Sequence, residues 1–494
     1  MSQVAVVGAG PIGLTLAGRL AQCGVEVAIY EAQPAHGSDG SKALCMQRET
    51  LEIWDRLGVG EHVAQRGVQW RTGRTYFRQR ELFSVTLPGA TDDHFPPFVN
   101  ISQTEVERLL IERLVELGVT VHWGRRLTGL RQGDDVALSF DDGTTERASY
   151  AVGADGAHSA TRHAISLGFE GHTFEDRFLI ADVRADLPFP TERRFFFDPP
   201  WNPGRQVLIH PQPDGVWRID WQVPPETDVD AERVNGGLER RVRAVIGPEV
   251  PFELVWATGY RFSQRLAERF RVGRVFLAGD AAHVMSPFGA RGLNSGAADA
   301  ENLAWKLAAV LRGEAGDALL DSYDAERRPA AIENLAVTEA TMRFMVPHGA
   351  ARRAWRNALL RLSEHSPWAR RHVNSGRLAQ PYSYPRSAFV GDRAPGLPPP
   401  GSLLVDEPLG DGQRLRALTG DGFVALCFDD APAVDKCRVL VVGRDVEDPS
   451  GRLHATYAPD GAPRAWLIRP DGHLAATGPP GELPAMLARA LGRG

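Results

Sequence analysis

The run Val4-Ala5-Val6-Val7-Gly8-Ala9-Gly10-Pro11-Ile12-Gly13 leaves a chain few ways to fold. Four apolar residues suited to a buried strand lead into a GxGxxG spacing, and Leu14, Leu16, Ala17 and Leu20 follow at helical intervals. A strand, a tight turn through Pro11 and Ile12, and a helix predicted over residues 12–23 open a βαβ unit. Gly8 permits the turn, Gly10 lets a diphosphate approach the backbone, and Gly13 lets the helix pack closely on the strand while its first amides face the anion. The next strand, predicted at 25–30, ends on Glu31, eighteen positions after Gly13. A carboxylate there accepts hydrogen bonds from ribose hydroxyls and repels a 2′-phosphate, so the turn suits NAD or FAD rather than NADP. It does not separate the first two.

The rest of the composition narrows the setting. At 494 residues the chain exceeds one ordinary core, and two to four units are expected. With 43% hydrophobic residues, 24% charged residues and a net charge of -6, there is no basic field to hold nucleic acid. The four cysteines, Cys23, Cys45, Cys427 and Cys437, show neither CxxC spacing nor clustering with histidines, so no disulfide framework and no metal site is signalled. The chain enters its first apolar run without a basic leader, and no apolar stretch is long enough to span a bilayer. A cytoplasmic protein without membrane partners is expected, as a monomer or homodimer.

Strands alternate with helices through the first part, with helices predicted near 50–57 and 104–117. From 178 to 256 the pattern changes to period-two runs broken by Asp198-Pro199-Pro200 and Pro213-Asp214-Gly215. The α/β pattern returns at 274–278 and runs into a long helix over 294–311. The predicted fold class is α/β: a Rossmann-like nucleotide-binding domain, 1–177 with 271–345, interrupted by a mostly antiparallel substrate-binding sheet at 178–270 and followed by long helices. A helical connection at 346–390 and a Gly/Pro-rich linker at 391–401 then lead to a small α/β unit at 402–494.

Two later segments bear on the choice between NAD and FAD. One is Gly153-Ala154-Asp155-Gly156-Ala157-His158-Ser159-Ala160-Thr161-Arg162; the other runs from Ala278-Gly279-Asp280-Ala281-Ala282-His283 to Pro287-Phe288-Gly289-Ala290-Arg291-Gly292-Leu293-Asn294. Alone, Asp155-Gly156 can be a turn and Asp280 a helix cap. Together with GxGxxG, and in this order, they resemble the single-component FAD-dependent aromatic hydroxylases, the group A flavoprotein monooxygenases, particularly the phenol-hydroxylase-like and polyketide-hydroxylase-like members. The resemblance covers nearly the whole chain.

It implies that FAD is bound, that Asp280 meets the ribityl chain, and that Gly289, Gly292, Leu293 and Asn294 lie against the flavin ring. A loop opening a helix offers free N–H groups suited to a reduced, negatively charged flavin. The Asp155 motif with Arg162 is associated with both FAD and the transient co-substrate, NADPH or NADH. Gln103 matches a cofactor-contacting glutamine, Leu127 lies where backbone groups meet the adenine, Lys42 replaces a frequent arginine, and Ala290 replaces a frequent glycine. His283 reads as a structural hydrogen-bonding residue. The C-terminal unit resembles a thioredoxin-like domain, but without CxxC it is expected to pack rather than exchange electrons.

The implied reaction is hydroxylation of an electron-rich phenol with NAD(P)H and O2 through a flavin hydroperoxide, with the cofactor carrying the chemistry. Pro287 is the expected site residue beside the flavin, through its backbone, and His210 the candidate for polarising the phenol. Phe195, Trp201, Trp217 and Trp221 are candidates for an aromatic pocket, although Trp217, Ile219 and Trp221 alternate as a core face also would. Competing readings are a flavin dehydrogenase or halogenase without hydroxylation and a non-catalytic redox-sensing flavoprotein. The tryptophan-rich WxWxIP signature expected of a halogenase is absent from 217–224.

Overall fold

In a computed structural model, residues 2–37, 43–87, 94–347, 349–373 and 380–493 are described. The first strand, Ser2–Val7, sits inside an eight-stranded sheet, parallel to Val27–Glu31 on one side and to Thr145–Gly153 on the other. Val121–Trp123 and Val275–Leu277 extend that parallel set outward. Val4, Val6 and Ile29 are fully buried, because helices cover a parallel sheet. The helices Pro11–Gln22, Gln103–Glu116 and Gly292–Leu311 supply that cover, their apolar residues joining Val4, Val6 and Ile29 in one core.

The second eight-stranded sheet runs in the order His283–Val284, Glu253–Ala267, Phe169–Arg184, Val216–Val223, Gln206–Pro211, Arg193–Phe197, Thr72–Phe77, Arg80–Thr86. It is antiparallel except where Arg193–Phe197 runs parallel to Thr72–Phe77. Two boundaries differ from expectation. The sheet begins at Phe169 rather than 178, because one 16-residue strand pairs with Glu253–Ala267 along its length. Residues 72–86, expected in the nucleotide-binding unit, complete its far edge through pairing that no local pattern announces.

The helices Ala318–Met345, Ala350–Ser363 and Pro367–His372 follow. The Gly/Pro-rich stretch at 391–401 is not a free linker: Gly391 N–H donates to Ala475 O at 2.8 Å and Gly401 N–H to Leu474 O at 2.6 Å, fastening it to the C-terminal sheet. That sheet has four strands, Cys437–Val441, Phe423–Cys427, Ala465–Ile468 and Leu474–Gly478, with Leu483–Ala490 packed against it. Burial pushes the Cys427 thiol up to about 11 and that of Cys437 to about 12, which leaves neither a ready thiolate. Among the described residues, no helix is long and apolar enough to cross a membrane.

Candidate active site

The glycine turn has one closed side and one open side. Gly8 has φ +105°, and a Cβ there would stand 2.5 Å from Ala154 O; a Cβ on Gly13 would stand 2.0 Å from Gly8 O. A Cβ on Gly10 would meet nothing within 4 Å. Gly10 is the N-cap of Pro11–Gln22 and no side chain caps that end, so first-turn amides are available at an open backbone surface. The Glu31 carboxylate is held beside this turn by Ala9 N–H at 2.8 Å and Gln33 N–H at 2.9 Å. An open cradle of amides with a fixed acid at its rim fits the diphosphate and ribose of FAD.

Other predicted contacts have different duties. Asp155 accepts from Ser159 Oγ at 2.5 Å and from Thr161 N and Oγ1 at 2.9 and 3.0 Å, so its carboxylate is spent on opening the short helix Ala160–Ala164. Its neighbours Ala154 and Gly156 line the cavity instead. The Arg162 guanidinium, buried against the Phe169 ring at 3.8 Å, donates to Ala281 O and Ala157 O at 2.9 Å and so ties this segment to the Gly279–Ala281 turn. The same turn is held from below: Asp299 accepts from Gly279 N–H at 3.1 Å and Arg327 Nε at 2.7 Å, and lies 2.7 Å from His283 Nε2. His283 is wholly buried in that contact, which is a structural position. Asp280 is exposed to the cavity.

Gly289, Gly292, Leu293 and Asn294 all line the cavity. Asn294 uses both ends of its amide: Oδ1 accepts from Gln47 N–H at 3.0 Å and Thr50 Oγ1 at 2.7 Å, and Nδ2 donates to Cys45 O at 3.0 Å and Ala290 O at 2.5 Å. It pins the loop to the strand Cys45–Gln47. Ala290 adopts φ +53°, the left-handed region in which glycine costs least. Pro287 lines the cavity and its carbonyl accepts from Ala290 N–H at 3.0 Å, closing the loop as a turn. Gln103 also lines it, accepting from Ala43 N–H at 3.2 Å. The Leu127 side chain packs into the core with Val7 and Tyr30, away from the lining. Lys42 lies outside the described residues.

One cavity of about 410 Å³ joins the Gly10–Ile12 turn and the Pro287–Asn294 loop to one face of the second sheet. Alternation decides which side chains enter it. On Val216–Val223, Trp217, Ile219 and Trp221 point to a core shared with Leu179 and Leu238, while Arg218 and Asp220 point to the cavity. The expected pocket aromatics are therefore corrected. Trp217 and Trp221 are core, Trp201 packs edge-on against Phe196 at 5.6 Å beside that core, and Phe195 is buried in a cluster behind Phe178, Phe262 and Phe288. The aromatic lining comes instead from Trp70, Phe98, Phe178, Trp256, Tyr260 and Phe262.

The polar part of this face spans the strands. His210 pairs with Arg218, and Arg218 with Asp182, on which the guanidinium is bidentate at 2.8 Å for each bond. His210 lines the cavity with its Nδ1 buried and unpartnered. Burial and the neighbouring Arg193 and Arg218 hold it well below its usual range, so it stays neutral and can polarise a hydroxyl without readily accepting charge. Burial lifts the Asp220 carboxyl to about 7 despite Arg218, and the Cys45 thiol to about 12. The sequence signal for Asp220 was its place between the two tryptophans of an alternating strand.

A family model described as "FAD binding domain" matches residues 1–338. The chain is 32% identical over 465 residues to a 3-(3-hydroxy-phenyl)propionate/3-hydroxycinnamic acid hydroxylase of Mycobacterium sp. (strain JLS), covering 92% of this chain and 80% of that one. It is 33% identical over 512 residues to 6-methylpretetramide 4-monooxygenase of Streptomyces rimosus, covering 96% and 90%. The solved ternary complex of aklavinone-11 hydroxylase with FAD and aklavinone superimposes with a TM-score of 0.82 at 27% identity, over 100% of this chain and 99% of that one. The chain belongs to the FAD binding domain family, among the FAD-dependent aromatic hydroxylases.

Proposed function

We propose that this hydroxylase acts on a phenol, taking its electrons from NADPH or NADH and its oxygen atom from O2. The observation that supports the reading best is the continuity of the cavity, which joins an amide cradle suited to FAD to a sheet face that is part aromatic and part polar. Bound FAD supplies the redox chemistry that makes oxygen electrophilic. Gly8, Gly10, Pro11, Ile12, Gly13 and Glu31 would hold its adenine end, and Asp280, Gly289, Gly292, Leu293 and Asn294 its flavin end.

The remaining duties fall to the chain. Phe178, Phe262 and Phe288, packed together at 4.4 to 5.7 Å between ring centres, wall one side of the cavity against water. His210 and Arg218 offer hydrogen-bond donors to a substrate oxygen, and the aromatic lining suits the flat face of a ring. The relatives' names point to two substrate types, hydroxyphenyl-propanoids and polycyclic polyketide phenols. Purified FAD-loaded protein is expected to oxidise NAD(P)H faster when the right phenol of either type is added, with O2 consumed and a product one oxygen heavier by mass spectrometry. A panel of both types that produced neither stimulation nor a mass gain would sink the reading.

A further inference from the structure

On the sheet face that lines the cavity, Asp220 feels the charges of Arg218 and Asp182, yet its Oδ1 is bonded to neither. Its cross-strand neighbours are Leu208 on one side and Ile180 on the other, both aliphatic. Its Oδ1 is shielded and has no hydrogen-bond partner. Asp182, on the same face, is by contrast clamped by Arg218. Asp220 lines the cavity, so a donor arriving there would supply the bond that the fold withholds.

We propose that Asp220 receives the hydroxyl of the aromatic substrate and takes its proton. This rests on the hydroxylase reading above and deepens it. The phenol O–H bond breaks, the proton passes to a carboxylate oxygen of Asp220, and the electron pair stays on the substrate oxygen, enriching the ring carbons ortho and para to it. A neutral phenol and a carboxylate become a phenolate and a neutral carboxylic acid, so the net charge of the site is unchanged. As the new C–O bond forms, the O–O bond breaks; the ring carbon then gives up its hydrogen as a proton, which leaves with the second oxygen atom of O2 as water, and the substrate oxygen takes a proton back from Asp220.

The groups facing Asp220 favour this division of labour. Among the described residues, Arg218 on its own strand, His210 and then Arg193 on the two strands to one side, Asp182 on the adjacent strand to the other side, and Cys45 across the cavity lining are the charged and titratable groups that bear on it. A proton on His210 would add a positive charge beside Arg193 and Arg218, whereas a proton on Asp220 removes a buried negative one. Desolvation already lifts this carboxyl to about 7, close to the working range of a general base.

The test compares the FAD-loaded wild type with Asp220→Asn and Asp220→Glu on the phenol that passes the panel and on a nitro-substituted analogue ionised at the assay pH. In the wild type, kcat/KM should rise with pH through an apparent pKa near 7, because the base must be ionised. Asp220→Asn should lose that limb and fall about 100-fold on the neutral phenol, but less than about tenfold on the ionised analogue. Asp220→Glu should keep a limb at a shifted pH. Wild-type kcat/KM and profile in Asp220→Asn, or equal losses on both substrates, would overturn the assignment. A wild-type profile flat across about pH 6–8 overturns it too, whether or not Asp220→Asn retains FAD. If the wild type hydroxylates no phenol, the hydroxylase reading itself fails and takes the role of Asp220 with it; if only the Asp220 comparison fails, that reading stands.

Discussion

Gly10 and Gly13 stand three residues apart in one turn and are glycines for opposite reasons. Gly13 has no room: its Cβ would stand 2.0 Å from a backbone oxygen of Gly8, which cannot yield without opening the strand-turn-helix. Gly10 has room, at φ −73° and ψ 176°, an extended conformation any residue adopts. Its openness is the surface on which a diphosphate would lie. Gly13→Ala is therefore expected to lower Tm by about 5 °C or more, through an overpacking cost of about 2–3 kcal/mol. Gly10→Ala should leave the Tm of FAD-free protein nearly unchanged while weakening FAD binding about tenfold or more, about 1.4 kcal/mol. Thermal melts of FAD-free protein, paired with FAD titration, separate the two. Equal effects of both substitutions on both readouts would contradict this division.

At the scale of the element, the strand Val216–Val223 is buried on both faces, and that is why its chemistry was hard to read in advance. Hydrophobic alternation reveals that a strand has two faces, but when one packs on a core and the other closes a cavity, it does not tell which face is which. On sequence alone Trp217 and Trp221 fit either a pocket for an aromatic ring or the core face of a sheet; the fold spends them on packing and gives the cavity Arg218 and Asp220. The nucleotide end was legible because Gly8, Gly10, Gly13 and Glu31 act through local backbone geometry within one βαβ opening. The far edge of the sheet was not, since Thr72–Phe77 meets Arg193–Phe197 across more than a hundred residues of intervening chain. Asp155 shows a third case, in which the motif was visible but its carboxylate serves the backbone of its own segment. The two-faced reading predicts a separation of effects. Trp221→Ala should cost about 3–5 kcal/mol of stability, read by thermal or urea melts, with KM for the substrate changed little. Ile180→Ala, on the cavity face, should raise KM with a smaller stability loss. A Trp221→Ala protein of wild-type stability and raised KM would place that side chain in the pocket after all.

Across the whole molecule, the C-terminal unit acts as a clamp on the helix Gly292–Leu311, whose first turn lines the cavity. Glu326, on Ala318–Met345, is where the parts converge. Its carboxylate accepts from Lys306 Nζ at 2.7 Å, Asn302 Nδ2 at 2.8 Å, Ser387 Oγ at 2.6 Å, and Arg469 Nη1 and Nη2 at 2.8 and 2.9 Å. Lys306 and Asn302 belong to Gly292–Leu311, whose first turn lines the cavity, while Arg469 comes from the C-terminal unit. Trp305 on that helix adds a hydrogen bond to Asp471 at 3.2 Å and an edge contact with Phe423 at 5.6 Å. Burial would raise the Glu326 carboxyl, but Arg469 and Lys306 outweigh it and hold it well below the usual carboxylate range. The folded state therefore binds that proton later than the unfolded chain does, so the stabilisation is present above the ordinary value of 4.5 and is lost as pH falls below it. Glu326→Gln leaves two buried cations short of a partner and is expected to cost about 3–5 kcal/mol near neutral pH. Its Tm should also depend less on pH on the acid side, so the gap to wild type narrows below about pH 4.5. The same loosening should reach the far end of the helix, where Asn294 pins the loop, and appear as faster FAD loss on gel filtration. A Glu326→Gln protein with wild-type Tm across that pH range would show that the clamp rests on the apolar contacts of Trp305 and Phe423 instead.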